Sequence, residues 1–337
     1  MDMAAAAATI ADAPPHVVED CRGVLRLLSD GTVVRSAQPL AGVADVPADP
    51  SVEWKDAVYD AALGLRLRMY KPTAAAAASK KLPVVVYFHG GGFCIGTYSW
   101  PTFHAACSRL AAGLGAVVIS ADYRLAPEHR LPAAIDDAAA VLLWLRGQAA
   151  GAAEPIGADP WLTERADFSR VFVSGESAGG VLAHHMNVRF SGAPAALHPV
   201  RLRGFVLLMP FFAGAEPTPS ELSCPDDAFL NRDMSGRYVR LSLPAGATAD
   251  HPFLNPFSPA APRLDLAAVG PTLVVVAGDD ILRDRNMEFA RRMAETGKPV
   301  EAVELPGQGH AFFSLRPWSE AVDELIRVAK QFMDKAC

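Results

Sequence analysis

From Pro83 onward the chain alternates, and this is the feature that most constrains its fold: short runs rich in apolar residues take turns with longer stretches of helical spacing. The short runs predict strands over Val84 to Phe88, Ala116 to Ser120, Val171 to Ser174, Phe205 to Met209, Leu273 to Ala277 and Val300 to Leu305. Helical spacing predicts Phe103 to Leu114, Ala133 to Arg146, Gly179 to Phe190, Asp284 to Thr296 and Ser319 to Met333, with Gly297 as a stop signal. Strands that are apolar on both faces belong in a parallel sheet covered by helices on both sides, and right-handed crossovers should link them. The expected fold class is therefore α/β, with a mostly parallel central sheet flanked by helices, in a single domain spanning 1–337.

Ahead of this core, Val52 to Val58 and Leu65 to Tyr70 read as a hairpin joined through Gly64, extending one edge of the sheet and leading into an alanine-rich linker, Thr73 to Ser79. Residues 1–15 are alanine-rich, carry Asp2 and Asp12, and lack the positive start of a secretory signal; they are expected to be a mobile tail. Two stretches break the alternation, residues 16–45 and the proline-rich 211–262. The second lies between consecutive core strands and runs to roughly 50 residues, where a connection normally takes about 4 to 6. Both are expected to be lid elements.

Charge and composition narrow the partners. A formal net charge of −6 disfavours nucleic acid and anionic membrane surfaces, and no apolar run approaches the roughly 18 residues of a membrane span. A small molecule is the expected partner. The five cysteines, Cys21, Cys94, Cys107, Cys224 and Cys337, are scattered and form no C-x-x-C pair to suggest zinc or redox chemistry; no metal or cofactor is expected. Free thiols in a reducing cytoplasm are the expected reading, with the nucleus as a second expected compartment.

Gly175-Glu176-Ser177-Ala178-Gly179 is a G-x-S-x-G pattern, which alone is a weak signal. Its context is stronger. It follows the apolar strand ending at Ser174 and opens a helix, and a serine on such a turn has its hydroxyl exposed at the carboxyl end of the sheet. Upstream, Val84 to Phe88 runs into His89-Gly90-Gly91-Gly92-Phe93, an HGGG run of the kind that aims backbone N–H groups at a developing oxyanion. Gly91 and Gly92 are the preferred donors, Gly90 is the alternative within the loop, and Ala178 N–H completes the hole. Neither phosphate-binding glycine pattern is present.

The serine needs a base. Of nine histidines, His310 follows the last core strand in the glycine-rich Gly307-Gln308-Gly309-His310, where the chain order serine, acid, histidine requires it. His184, His185, His104 and His129 read as structural, and His89 as a brace for the oxyanion loop. Activity is expected to rise with pH through about 6 to 7 as the base loses its proton. The acid should follow Leu273 to Ala277, and there Asp279, Asp280 and Asp284 all compete. Phe211, Phe212, Phe253, Leu254 and Phe257 suggest an apolar pocket wall and read equally well as lid core.

Taken together these residues resemble the plant carboxylesterases related to hormone-sensitive lipase, within the α/β-hydrolase fold. Asp122-Tyr123-Arg124-Leu125-Ala126-Pro127-Glu128-His129, followed by Leu131-Pro132-Ala133-Ala134 and Asp136-Asp137, is similar to the family's signature. The family's G-x-D-x-L-x-D segment maps onto Gly278, Asp280, Leu282 and Asp284. The resemblance thus implies Ser177, Asp280 and His310 as a catalytic triad, a lid built from the N-terminal segment plus an insertion, and a homodimer. Glu19-Asp20-Cys21-Arg22-Gly23, Leu27 to Val33 and Ser242 to Thr248 are similar to the carboxylesterase 15 branch, associated with cleaving strigolactones. The implied function is hydrolysis of a small apolar ester or lactone through an acyl-enzyme. The alternatives are a broad detoxifying esterase and a hormone-binding protein like the gibberellin receptors, which share the fold and the serine but have lost the triad histidine.

Overall fold

A computed structural model describes residues 14–36, 38–39, 46–73, 81–151 and 158–336. The tail expected over 1–15, the alanine-rich linker and the end of the first lid segment fall wholly or largely outside them. Eleven strands and nine α-helices are present among the described residues.

The strands are β1 (Val17–Cys21), β2 (Leu25–Leu28), β3 (Val33–Arg35), β4 (Val52–Asp60), β5 (Leu65–Pro72), β6 (Leu82–Phe88), β7 (Val117–Ala121), β8 (Ala166–Glu176), β9 (Leu202–Leu208), β10 (Thr272–Ala277) and β11 (Val300–Leu305). The helices are α1 (Pro101–Leu114), α2 (Ala133–Ala149), α3 (Pro160–Arg165), α4 (Ala178–Phe190), α5 (Pro219–Ser223), α6 (Arg232–Ser242), α7 (Arg283–Glu295), α8 (Phe312–Leu315) and α9 (Glu320–Lys335). Eight strands form one sheet in the order β11-β10-β9-β8-β6-β7-β5-β4. From β11 to β7 every pairing is parallel, and the β4–β5 hairpin adds the antiparallel edge.

The period-two pleat of β6 explains why the sheet is buried on both sides. Val84, Val86 and Phe88 face one core, together with Leu142 of α2, Val181 and Leu182 of α4 and Phe289 of α7. Val85 and Tyr87 face the other, with Leu110 of α1 and Leu325, Ala329 and Phe332 of α9. Each large apolar side chain so buried contributes roughly 1.5–3 kcal/mol. The expected stop at Gly297 is present, with φ of 73° and its N–H donating to the Ala294 carbonyl.

Most expected boundaries fall within a residue or two of the observed ones; β9 starts three residues earlier, at Leu202, α2 runs three residues further, to Ala149, and β8 departs most. It starts at Ala166 and not at Val171, because Ala166 pairs with Leu82 through the backbone although its neighbours Asp167, Ser169 and Arg170 are polar. The two stretches outside the alternation carry their own structure. Strands β1–β3 form a separate antiparallel sheet, while α5 and α6 lie in the insertion. They pack on each other, with Arg240 of α6 on Glu19 of β1 at 2.8 Å. Arg35, at the end of β3, holds the Glu128 carboxylate with both arms of its guanidinium and also donates to the carbonyls of Cys94 and Ala126. The small sheet is thereby fastened beside the glycine loop.

Candidate active site

At the end of β8 the chain reverses sharply into α4, and Ser177 occupies the reversal with φ 57° and ψ −115°. A non-glycine residue holds this conformation only where its surroundings impose it. Its N–H donates to the Leu208 carbonyl at 2.8 Å, and its carbonyl accepts from Val181 and Phe211. The side chain makes no capping bond, which leaves the hydroxyl for other work. Glycine at 179 is obligatory, because a Cβ there would lie 1.9 Å from the Phe88 carbonyl oxygen. Helix α4 starts that close to β6, and the approach sets Ser177 against the glycine loop.

Beyond β10 and β11, two loops deliver an acid and a base. His310 Nε2 lies 2.9 Å from Ser177 Oγ, and its Nδ1 lies 2.7 Å from Asp280 Oδ2. These partners assign the tautomer: Nδ1 carries the proton given to Asp280, and Nε2 accepts from the serine. All three are buried, at 4%, 8% and 4% exposed for Ser177, His310 and Asp280. Asp280 is held in turn by the Leu282 N–H on its Oδ1. Of the competing aspartates, Asp279 is exposed, and Asp284 accepts from the Ser220 N–H and from Arg283. Burial alone would lower the His310 pKa, but the charge and hydrogen bond of Asp280, with Glu176 behind them, outweigh it and hold the value above the ordinary histidine range.

Gly90, Gly91 and Gly92 line the same cavity as Ser177 and His310. Gly91 has φ 115° and Gly92 φ 59°, and a Cβ on Gly92 would lie 2.2 Å from the Tyr238 ring. The Gly91 carbonyl accepts from Cys94 and Ile95, which fixes the loop. Among the described residues, the N–H groups of Gly91, Gly92 and Ala178 donate to no other backbone group. Donors held in a buried loop and at a helix start suit an anion developing beside Ser177. His89 lies beneath, its ring stacked on Tyr123 at 4.4 Å, with the Tyr123 hydroxyl donating to the His89 carbonyl. The Asp122 to His129 segment braces this arrangement: Asp122 accepts from Tyr98 N–H and Thr97 Oγ1, and Arg124 pairs with Asp137 at 2.7 Å.

The other histidines lie elsewhere. His184 packs edge-on against Phe212 and Phe289, and burial drives its pKa down to about 3. His185 meets the Phe253 carbonyl at 2.9 Å. His104 sits between Arg68 and Tyr70, its pKa pulled down to about 4 by burial and by Arg68.

A cavity opens over Ser177. Its walls correct the pocket expected from Phe211, Phe212, Phe253, Leu254 and Phe257, none of which lines it. Phe211, Phe212 and Leu254 are buried in the core, and Phe212 stacks on Phe289 at 4.7 Å. The apolar walls come from Trp100, Phe103, Phe229, Leu230, Tyr238 and Leu315, drawn from α1, α6, α8 and the insertion. Arg22 of the β1–β2 turn and the buried Glu176 also line it. Sequence reasoning missed both; Glu176 stood beside Ser177, whereas Arg22 had only its place in a lid segment to mark it.

No group of histidine, cysteine and acidic residues that could hold a metal occurs among the described residues, and no helix there is long and apolar enough to cross a membrane.

Comparison with known proteins agrees with this geometry. A model of the alpha/beta hydrolase fold matches residues 85–314. Probable carboxylesterase 6 of Arabidopsis thaliana is 35% identical over 302 residues, covering 89% of this chain and 85% of that one. Tuliposide A-converting enzyme 1 of Tulipa gesneriana is 36% identical, covering 88% of this chain and 73% of its own. Among solved structures, a hyperthermophilic esterase from Pyrobaculum calidifontis superposes with a TM-score of 0.69 at 30% identity, covering 84% of this chain and 86% of that one. The chain belongs to the α/β-hydrolase family and, by its carboxylesterase relatives and esterase neighbours, is a serine carboxylic ester hydrolase.

Proposed function

We propose that Ser177 is the nucleophile, His310 its base and Asp280 the residue that orients the base, and that the substrate is an apolar small-molecule ester or lactone. The observation that carries this is the single hydrogen-bonded row from Asp280 through His310 to Ser177, opening into an apolar cavity. His310 takes the Ser177 proton as the hydroxyl attacks the carbonyl, and Asp280 stabilises the imidazolium that forms. The oxyanion takes hydrogen bonds from Gly91, Gly92 and Ala178, each worth roughly 2.7–4 kcal/mol in comparable sites. His310 then protonates the leaving oxygen, and water, activated by the same base, releases the acyl group. A lactone opens by the same steps, its leaving alcohol still tethered to the acyl group.

For the natural substrate we favour a strigolactone and a place in the carboxylesterase 15 branch. The segments similar to that branch, Glu19 to Gly23 and Ser242 to Thr248, fall in the small sheet and the insertion, which act as the lid. The free thiols Cys21, Cys94, Cys107 and Cys224 support a reducing compartment, the cytoplasm with the nucleus.

The test is turnover of a chromogenic short-chain ester by wild type and Ser177→Ala. The expected loss is several orders of magnitude, and near-normal activity in the variant would remove the assignment. Mass spectrometry of a strigolactone incubated with both proteins decides the substrate: identical product profiles would leave a broad esterase acting on other compounds.

A further inference from the structure

The turn joining β1 to β2 brings one cation into the otherwise largely apolar cavity above Ser177. Arg22 and Gly23 both hold positive φ, at 56° and 71°, and the Val24 N–H closes the turn on the Cys21 carbonyl at 3.1 Å. A turn with two positive φ values favours asparagine, aspartate or glycine at its first central position and glycine at its second. Gly23 obeys that preference and Arg22 does not.

The side chain offers a reason. Arg22 lines the cavity together with Ser177 and His310, and its guanidinium lies 4.4 Å from the centroid of the Phe229 ring. Among the described residues the guanidinium makes no hydrogen bond or ion pair. The nearby arginines differ: Arg26 pairs with Asp20, Arg240 with Glu19 and Arg237 with Asp233. The carboxylates around the turn are therefore already engaged, and the planar donor fork of Arg22 has no acceptor to bind. The turn itself is fixed, because Arg237 also donates to the Asp20 carbonyl from α6, the helix that carries Tyr238 into the cavity.

We propose that Arg22 is a specificity-determining subsite that takes an sp² oxygen acceptor of the substrate, a carboxylate or second carbonyl set apart from the scissile ester. Two parallel N–H groups match the two oxygens of a carboxylate or lactone, and the Phe229 face beneath holds the guanidinium plane. A purely alkyl ester gains nothing from this subsite. The inference rests on Ser177 being the nucleophile, since the acceptor is placed relative to the bond that Ser177 attacks.

The test uses three p-nitrophenyl esters of similar length: hexanoate, glutarate left as the free acid, and glutarate capped as its methyl ester. Arg22→Met should lower kcat/KM for both acceptor-ending esters by about tenfold or more, mainly through KM, and leave the hexanoate within about twofold. Arg22→Lys should recover part of the loss on the free acid, because it restores charge without the fork. A greater loss on the free acid assigns an anionic group, and equal losses assign a carbonyl. Equal losses on all three esters, or none on either acceptor-ending ester, overturn the proposal. Binding of the three esters to Ser177→Ala supplies a readout free of turnover: there too Arg22→Met must weaken only the acceptor-ending pair. Turnover persisting in Ser177→Ala would instead sink the nucleophile assignment, so the two failures are distinguishable.

Discussion

Ser314, four residues beyond His310, donates its hydroxyl to Glu176, the residue before Ser177, at 2.6 Å. Glu176 is 1% exposed, so His310 and Ser177 are joined a second time through their buried neighbours. Burial pushes the Glu176 carboxyl above its ordinary range, while the Ser314 hydroxyl and the facing His310 pull the other way. The Glu176 charge in turn helps raise His310.

Replacing that charge separates the electrostatic role from packing. Glu176→Gln keeps the shape of the side chain and removes its charge, so the His310 pKa should fall and the acid limb of the kcat/KM profile should move to lower pH. Ser314→Ala leaves the buried carboxylate short of a donor and should cost about 1.5–3 kcal/mol of stability by denaturant titration. An acid limb unmoved in Glu176→Gln would show that Glu176 carries no charge where His310 titrates.

A second prediction concerns the start of α4. Gly179→Ala places a methyl 1.9 Å from the Phe88 carbonyl oxygen, a backbone atom that no rotamer change can clear. The helix must move away from β6, and Ser177 moves with it. The expected cost is about 1–3 kcal/mol of stability, with a loss in kcat larger than that destabilisation explains, because small displacements of a nucleophile are costly. A variant with wild-type kcat and a wild-type melting temperature would show that the close approach does not position Ser177.

The core of the sheet was legible because β6, β7, β8, β9 and β10 are apolar on both faces, a pattern that no exposed segment needs. Helix α6 was not, since only Tyr238, Leu241 and Ser242 of its eleven residues are buried and Gly236 weakens its helical signal. Strands β1–β3 run to only three to five residues each, too short to show a period. The site divides in the same way. Ser177 and the glycine loop announce themselves by local pattern, whereas the choice among Asp279, Asp280 and Asp284 depends on which carboxylate faces His310 across the loops after β10 and β11. The cavity wall was illegible, because Arg22, Trp100, Phe229 and Tyr238 converge from distant parts of the chain. Of the apolar residues of 211–262 that drew attention, Phe211, Phe212 and Leu254 are buried in the core.

The raised pKa of His310 has two consequences of opposite sign. The base must be neutral to accept the Ser177 proton, so activity falls as pH drops through the raised value, and the acid limb should lie above the ordinary histidine value of about 6.5. Stability runs the other way. A group whose pKa is higher in the folded state contributes fully below its unfolded value of about 6.5, and that contribution is lost as pH rises through the folded value. Across that window the protein gains catalytic competence while giving up an increment of stability. Asp280→Asn should abolish both effects: without the carboxylate, burial lowers the imidazole pKa, the tautomer is no longer held, and activity falls by roughly 10⁴. The check pairs kcat/KM profiles with urea midpoints from pH 5.5 to 9 for both proteins. A wild-type acid limb at or below pH 6, or wild-type stability that rises relative to Asp280→Asn between pH 6.5 and 8, would contradict the assignment of Asp280 as the group that holds His310.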